Sequence, residues 1–140
     1  MIGLLIISHG QLAKELLEAA ESIAGPVDAV ECISIDAMKD SKELGDTIKK
    51  HIDTLDQGHG VLVLTDMFGG TPSNLALSFL QKNTVEIVTG INLPMVIAIA
   101  QNRKGHSLAE IADMAKTAGK RSISLASELL TPKKKQREGL

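Results

Sequence analysis

Two short stretches of the chain carry residues that could do chemistry together. The first is Ser8-His9-Gly10, directly after the apolar run 2–7. The second is Asp66-Met67-Phe68-Gly69-Gly70-Thr71, directly after the apolar run 60–65. His9 has small neighbours on both sides, which leave its imidazole open to a reaction partner. A carboxylate that takes the proton of one ring nitrogen fixes the tautomer and makes the other nitrogen a lone-pair nucleophile. It also stabilises the cationic ring that forms when that nitrogen bonds to an electrophile. Asp66 is the candidate for this carboxylate. Gly69 and Gly70 let backbone amides approach a ligand closely. Thr71 and the first turn of the next helix would add free N–H groups and the positive end of a helix dipole, a setting suited to a phosphoryl group. Met67 and Phe68, apolar in a loop, are candidates for a lid or a partner-facing surface. Each part is ordinary alone: a strand-end histidine, a loop aspartate in an Asx turn, a glycine turn before a helix. Their chemistry depends on their meeting.

The elements that must bring them together alternate strand and helix. Runs 2–7, 29–35, 60–65 and 84–88 are apolar and short, as strands covered on both faces are. Between them lie helical periods. Residues 11–24 place Leu12, Leu16, Ala19, Ala20 and Ile23 on one face and stop at Gly25-Pro26. Asp40 and Glu43 form a capping box before Leu44, Ile48, Ile52 and Leu55. Thr71 is expected to cap a helix whose first residue is Pro72 and whose core face is Leu75, Ala76, Phe79 and Leu80. An apolar helix follows over 93–100. Ser107 and Glu110 make a second capping box for a helix ending near Gly119, and residues 121–125 read as a short last strand. Residues 131–140 have no periodicity and form a basic, solvated tail after a single domain, 1–130. Repeated βα units predict a three-layer α/β fold, a mostly parallel sheet of order 2-1-3-4 with helices on both faces. In that order the chain reverses direction between strands one and three. Ligands bind such sheets at this switch point, beyond the carboxyl ends of the strands, where His9 and Asp66 would face each other.

Composition narrows the function further. The chain has 140 residues, 44% apolar and 23% charged, with no Trp or Tyr and only Phe68 and Phe79, so its core is aliphatic. Lys and Arg number 15 against 17 Asp and Glu; without Lys133, Lys134, Lys135, Arg137 and Glu138 the body carries 11 basic and 16 acidic residues. An acidic body with almost no aromatic side chains argues against nucleic acid. Cys32 is the single cysteine, so no internal disulfide forms. His51, His59 and His106 lack ligand spacing, and a metal site is not expected. The glycines are not followed by a Walker lysine, which argues against a nucleotide. A basic leader with a cleavage site and an apolar run of ~20 residues are both missing, so a cytoplasmic protein is expected.

Three motifs in order, SHG at 8–10, DMFGGTPSN at 66–74 and TGINLPM at 89–95, carry a resemblance. From residue 1 to about 130 the chain resembles the IIA component of the mannose/fructose family of the bacterial phosphoenolpyruvate-dependent sugar phosphotransferase system. The resemblance implies that His9 accepts a phosphoryl group from the phosphocarrier protein HPr and passes it to a IIB component. That component would be a separate protein, serving a membrane IIC/IID complex in sugar uptake. It also implies that Asp66 orients His9, that the Gly70-Thr71 turn helps hold the phosphate, and that a last antiparallel strand is exchanged in a homodimer. Transfer between two imidazoles needs an in-line approach and neutralised equatorial oxygens, which helix N–H groups can supply, so no cofactor is expected. A carrier must release what it takes, and a shallow, open site follows. Alternatives are a regulatory module whose phosphorylation is sensed without onward transfer, and the phosphotransfer subunit of a dihydroxyacetone kinase, whose second motif lacks the GGTP turn. A receiver domain would need an acidic pair where Ser8-His9-Gly10 stands, and a flavin binder would need more aromatic residues.

Overall fold

A computed structural model describes residues 1–67 and 69–130, without the side chains of residues 71–73. Phe68 and the basic tail, 131–140, lie outside the described residues. The elements run β1 (Gly3–Ser8), α1 (Leu12–Ala24), β2 (Val30–Ser34), a 3-10 turn (Ile35–Ala37), α2 (Ser41–Leu55), β3 (Val61–Thr65), α3 (Gly70–Leu77), β4 (Val85–Thr89), α4 (Leu93–Asn102), α5 (Leu108–Arg121) and α6 (Ala126–Leu129). The four strands form one parallel sheet of order β2-β1-β3-β4.

Both faces of the central strands are covered, which is why their sequences are apolar without alternation. Leu4, Ile6, Leu62 and Leu64 point to the layer holding α1, α4 and α5. Leu5, Ile7, Val61 and Val63 point to the layer holding α2 and α3. Leu4, Leu5, Ile6, Leu62 and Leu64 are fully buried, each contributing about 1.5–3 kcal/mol of burial. With both faces of β1 and β3 occupied, their carboxyl ends are where polar side chains can gather. Both strands end there in register, Ile7 opposite Thr65, so Ser8-His9 and Asp66 emerge side by side.

The helix starts follow their caps. Asp40 accepts the N–H of Glu43 at 2.8 Å, while Glu43 reaches back to the N–H of Lys39 rather than that of Asp40. Ser107 and Glu110 close the full reciprocal box. Asn92 caps α4 by accepting the N–H of Met95.

Several expectations are corrected. The inward face of α1 is Ala13, Leu16, Leu17 and Ala20, while Leu12 and Ile23 are exposed. The helix is rotated so that small alanines lie toward the core, and α1 packs closely against α4. Leu80 is exposed because α3 ends at Leu77, and Phe79 packs against the α2/α3 layer as expected. Thr71 is not the cap of α3: Gly69 holds that position and the helix begins at Gly70, two residues before Pro72. Residues 121–125 form no strand within the chain. The helix α5 extends through Lys120 and Arg121, whose charges suit its carboxyl end. Asn92 and Ser122 then satisfy the Gly119 carbonyl. Ile123 and Leu125 are left exposed, with Leu129 and Leu130 beyond them. Among the described residues no helix is long and apolar enough to cross a membrane.

Candidate functional site

Ser8 ends β1 with its side chain turned into the core, where its hydroxyl accepts the N–H of Ala13 at 2.8 Å and starts α1. It donates to the carbonyl of His9 at 3.2 Å. That anchoring sends the next side chain, His9, to the opposite side and outward; its ring is 51% exposed. Asp66, the first residue after β3, meets it there. A single oxygen, Oδ2, accepts the backbone N–H of His9 at 2.8 Å and lies 2.8 Å from its Nδ1. The histidine is therefore held at two points by one carboxylate that is itself mostly covered.

The electrostatics are reciprocal. The hydrogen bond that the ring donates to Asp66, and then the negative charge of Asp66, hold the imidazole above its ordinary value of 6.5, and Asp36 adds to this. Burial alone would raise the Asp66 carboxyl. The backbone N–H and ring of His9 outweigh it, together with the N–H of Met67, and leave the group below 3.8. Near neutral pH Asp66 is an acceptor only, so Nδ1 carries a hydrogen in either protonation state of the ring, and in the neutral ring the lone pair is on Nε2, the nitrogen that Asp66 does not engage. Such a ring is a nucleophile with its conjugate cation already countered.

Asp36 has no place in the sequence expectation. It lies in the 3-10 turn after β2, and its Oδ2 accepts the N–H of Gly10 at 2.5 Å. It thus ties down the chain just after His9 from the third strand end. Its signal was positional only, an acidic residue following a strand that neighbours β1.

Gly69 and Gly70 make the turn from β3 into α3 with φ values of 105° and 82°, which residues carrying a Cβ rarely adopt. Gly69 offers no capping side chain, and the first N–H groups of a helix have no partner within it. Thr71 stands second in this helix. Met67 is exposed beside the site.

Ile7, His9, Ile35, Thr65, Asp66, Met67 and Gly69 line a small hollow of about 10 Å³. Among the described residues no deep ligand pocket opens here. A groove of about 630 Å³ runs elsewhere, between the free edge of β4 and α5. Thr65 is 4% exposed and its Oγ1 has no hydrogen-bond partner, a state that costs about 1–3 kcal/mol for a buried hydroxyl.

The other candidates stay apart from this site. Cys32 packs against the α1/α4 side of the sheet, and burial, with Glu31 and Glu21, pushes its thiol up to about 11. His106 lies 3.7 Å from Glu110 across one helical turn. Among the described residues no three of His, Cys, Asp and Glu are placed to hold a metal ion. Arg103 is buried at the opposite end of the sheet, donating to the carbonyls of Ile2, Asp28 and Ala29. Ala29 has a φ of 49°, and this clamp helps hold that conformation.

Residues 3–116 match the family model described as the fructose IIA component of the phosphotransferase system. The fructose-specific EIIA component of Bacillus subtilis is 27% identical over 131 residues, covering 93% of this chain and 90% of that protein. The mannose-specific EIIAB component of Escherichia coli is 29% identical over 124 residues, covering 87% of this chain. This chain spans only 38% of that protein's length. Among solved structures, the IIA protein associated with the fucose utilization operon of Streptococcus pneumoniae superposes with a TM-score of 0.80 at 32% identity, covering 92% of this chain and 96% of that one.

Proposed function

The chain belongs to the fructose IIA family of the phosphotransferase system, and from that membership we propose that residues 1–130 act as one cytoplasmic carrier domain with His9 as its phosphoryl acceptor. Nε2 of His9 attacks the phosphorus of phosphohistidine on HPr; the donor N–P bond breaks as the Nε2–P bond forms. The hydrogen on Nδ1 stays in its bond to Asp66, so no proton has to leave for the transfer to proceed. The N–H groups opening α3 at Gly70 and Thr71 meet the equatorial oxygens, and Met67 and Phe68 face the incoming partner. Onward transfer to a IIB component is the same step in reverse, the Nε2–P bond breaking. The observation that carries this reading is the double engagement of His9 by Oδ2 of Asp66 at 2.8 Å, backbone and ring together. It leaves Nε2 as the ring nitrogen that Asp66 does not engage.

A shallow site fits the reading, since two proteins must bring their imidazoles into line across it. A homodimer fits the carboxyl-terminal region. The free edge of β4 borders a groove that Ile123 itself lines, and Leu125, Leu129 and Leu130 are exposed beyond it. We propose that the segment expected as the exchanged strand, 121–125, adds from a second copy to that edge; light scattering at micromolar concentration should give a dimer for the intact chain and a monomer for Leu125→Asp.

The carrier role is tested by mixing the charged, purified chain with IIB components of the mannose family and following the label. Passage of phosphate to a IIB histidine or cysteine supports onward transfer. Retention on His9 with every IIB, while a known IIA discharges to them, would overturn it.

A further inference from the structure

Resting on the carrier reading above, we propose that Thr65 is a phosphoryl-binding residue: its buried hydroxyl donates a hydrogen bond to one oxygen of the phosphoryl group carried by His9. Among the described residues, Oγ1 of Thr65 is the one buried side-chain oxygen or nitrogen without a hydrogen-bond partner. The backbone of Thr65 does not share this state, since its carbonyl accepts the N–H of Ile91 at 3.0 Å. Orphaned hydroxyls inside proteins call for a reason, because valine has the same shape and leaves nothing unpaired.

The surroundings indicate what the missing partner is. Thr65 ends β3 beside Ile7 and lines the same small hollow as His9, where the side chains of Ile7, Ile35 and Met67 offer a hydroxyl nothing. The polar walls are His9, Asp66 and the backbone at Gly69. Asp66 Oδ2, already engaged twice by His9, does not take the Thr65 hydroxyl. The hollow, about 10 Å³, is too small for a free phosphate and is the size of about one oxygen atom or one water. Gly69, the residue before α3, lines it, and the first N–H groups of that helix would form the rest of an oxyanion site. One oxygen of a group bonded to the histidine would occupy it and accept from Thr65. The hydroxyl is then unpaired in the uncharged protein and paired in the charged one, so it favours the charged form selectively.

The test compares wild type, Thr65→Val and Thr65→Ser, each equilibrated with enzyme I and HPr at fixed phosphoenolpyruvate-to-pyruvate ratios. The fraction of phosphohistidine is read by intact mass, and the Tm of each uncharged protein is measured alongside. Thr65→Val should lower the charging equilibrium constant about fivefold to tenfold, with a Tm equal to or above wild type. Thr65→Ser, which keeps the hydroxyl, should charge within about twofold of wild type. Charging of Thr65→Val at the wild-type level would overturn the proposal. So would a lower Tm for uncharged Thr65→Val, which would mean that the hydroxyl is already partnered at rest by a bound water. Failure of wild type itself to charge would remove the carrier reading and this proposal together, a result distinct from failure of the valine variant alone to differ.

Discussion

Replacing Asp66 with Asn changes charge with almost no change in shape, and the structure says what should follow. An Asn oxygen placed where Oδ2 stands can still accept both the backbone N–H and Nδ1–H of His9, so the loop should keep its form. The negative charge that counters the ring as it bonds to phosphorus is lost. Hydrogen bonds to a charged group contribute about 1.5–3 kcal/mol against about 0.5–1.5 for neutral pairs. Because the imidazole is 51% exposed, solvent screens the difference toward its lower end, about 0.5–1 kcal/mol. That converts to a rate of phosphoryl acceptance about 2- to 5-fold slower on the alkaline plateau. The pH dependence supplies an independent signature. Acceptance needs an unprotonated Nε2, and Asp66 holds the imidazole above 6.5, so the wild-type rate should fall as pH drops through that raised value. In Asp66→Asn the falling limb should move to lower pH. The assay is rapid mixing with labelled phospho-HPr from pH 5 to 9, quenched in base. A slowed rate with an unmoved limb would mean that Asp66 only supports the loop; a wild-type rate throughout would refute its role entirely. Stability gives the same sign. The raised histidine contributes stability that is present in full below its unfolded value and lost as pH rises through the folded one. The depressed carboxyl contributes stability that is lost as pH falls through its own folded value. The Tm advantage of wild type over Asp66→Asn should therefore peak at about pH 4–6.5 and shrink on either side.

Other substitutions test separate parts of the structure. Asp36→Ala removes the acceptor of the Gly10 N–H and a negative charge near the ring; the acid limb of phosphoryl acceptance should shift in the same direction as for Asp66→Asn but less, and no shift would mean that Asp36 only ties the loop. Gly69→Ala meets no atom within 4 Å, so its effect isolates the backbone. A residue with a Cβ at φ 105° and ψ 158° is strained by about 1–3 kcal/mol. Tm should fall by several degrees and acceptance should slow as the start of α3 turns away; an unchanged Tm would show that the turn relaxes freely. Arg103→Met leaves three carbonyls without their guanidinium and should destabilise the fold by about 2–4 kcal/mol in urea titration, with charging unchanged below the transition. A loss below about 0.5 kcal/mol would mean that water replaces the clamp.

The meeting of His9 with Asp66 is legible in the sequence because of where polar residues have to lie. With β1 and β3 apolar on both faces, strand ends were the only places for His9 and Asp66, and alternating βα units required those ends to converge. What remained hidden has physical causes. The first helix has apolar residues at 12, 13, 16, 17, 19, 20, 23 and 24, a stripe about 160° wide at 3.6 residues per turn, so periodicity does not fix which part of that stripe turns deepest inward. Thr71 looked like a cap because threonine is a good one, yet the positive φ values of Gly69 and Gly70 start the helix earlier. The alternation of Ile123 and Leu125 has the period of a strand, but a strand needs an edge, and α5 takes the preceding residue into its last turn. Arg103 sits among polar residues in the sequence; its burial comes from carbonyls 74 to 101 positions away, which no local pattern signals. Thr65 is read as one more residue of a buried strand until its missing partner is noticed.

The central claim is that Nε2 of His9 takes a phosphoryl group. Intact-mass analysis after incubation with phosphoenolpyruvate, enzyme I and HPr measures this directly, with peptide mapping and an acid-lability check on wild type and His9→Ala. The account predicts one acid-labile phosphoryl group on wild type, mapped to His9 and attached at Nε2 by phosphorus NMR, and none on His9→Ala. An uncharged wild type in the presence of HPr shown to be phosphorylated, or a phosphoryl group that persists in His9→Ala, would contradict it.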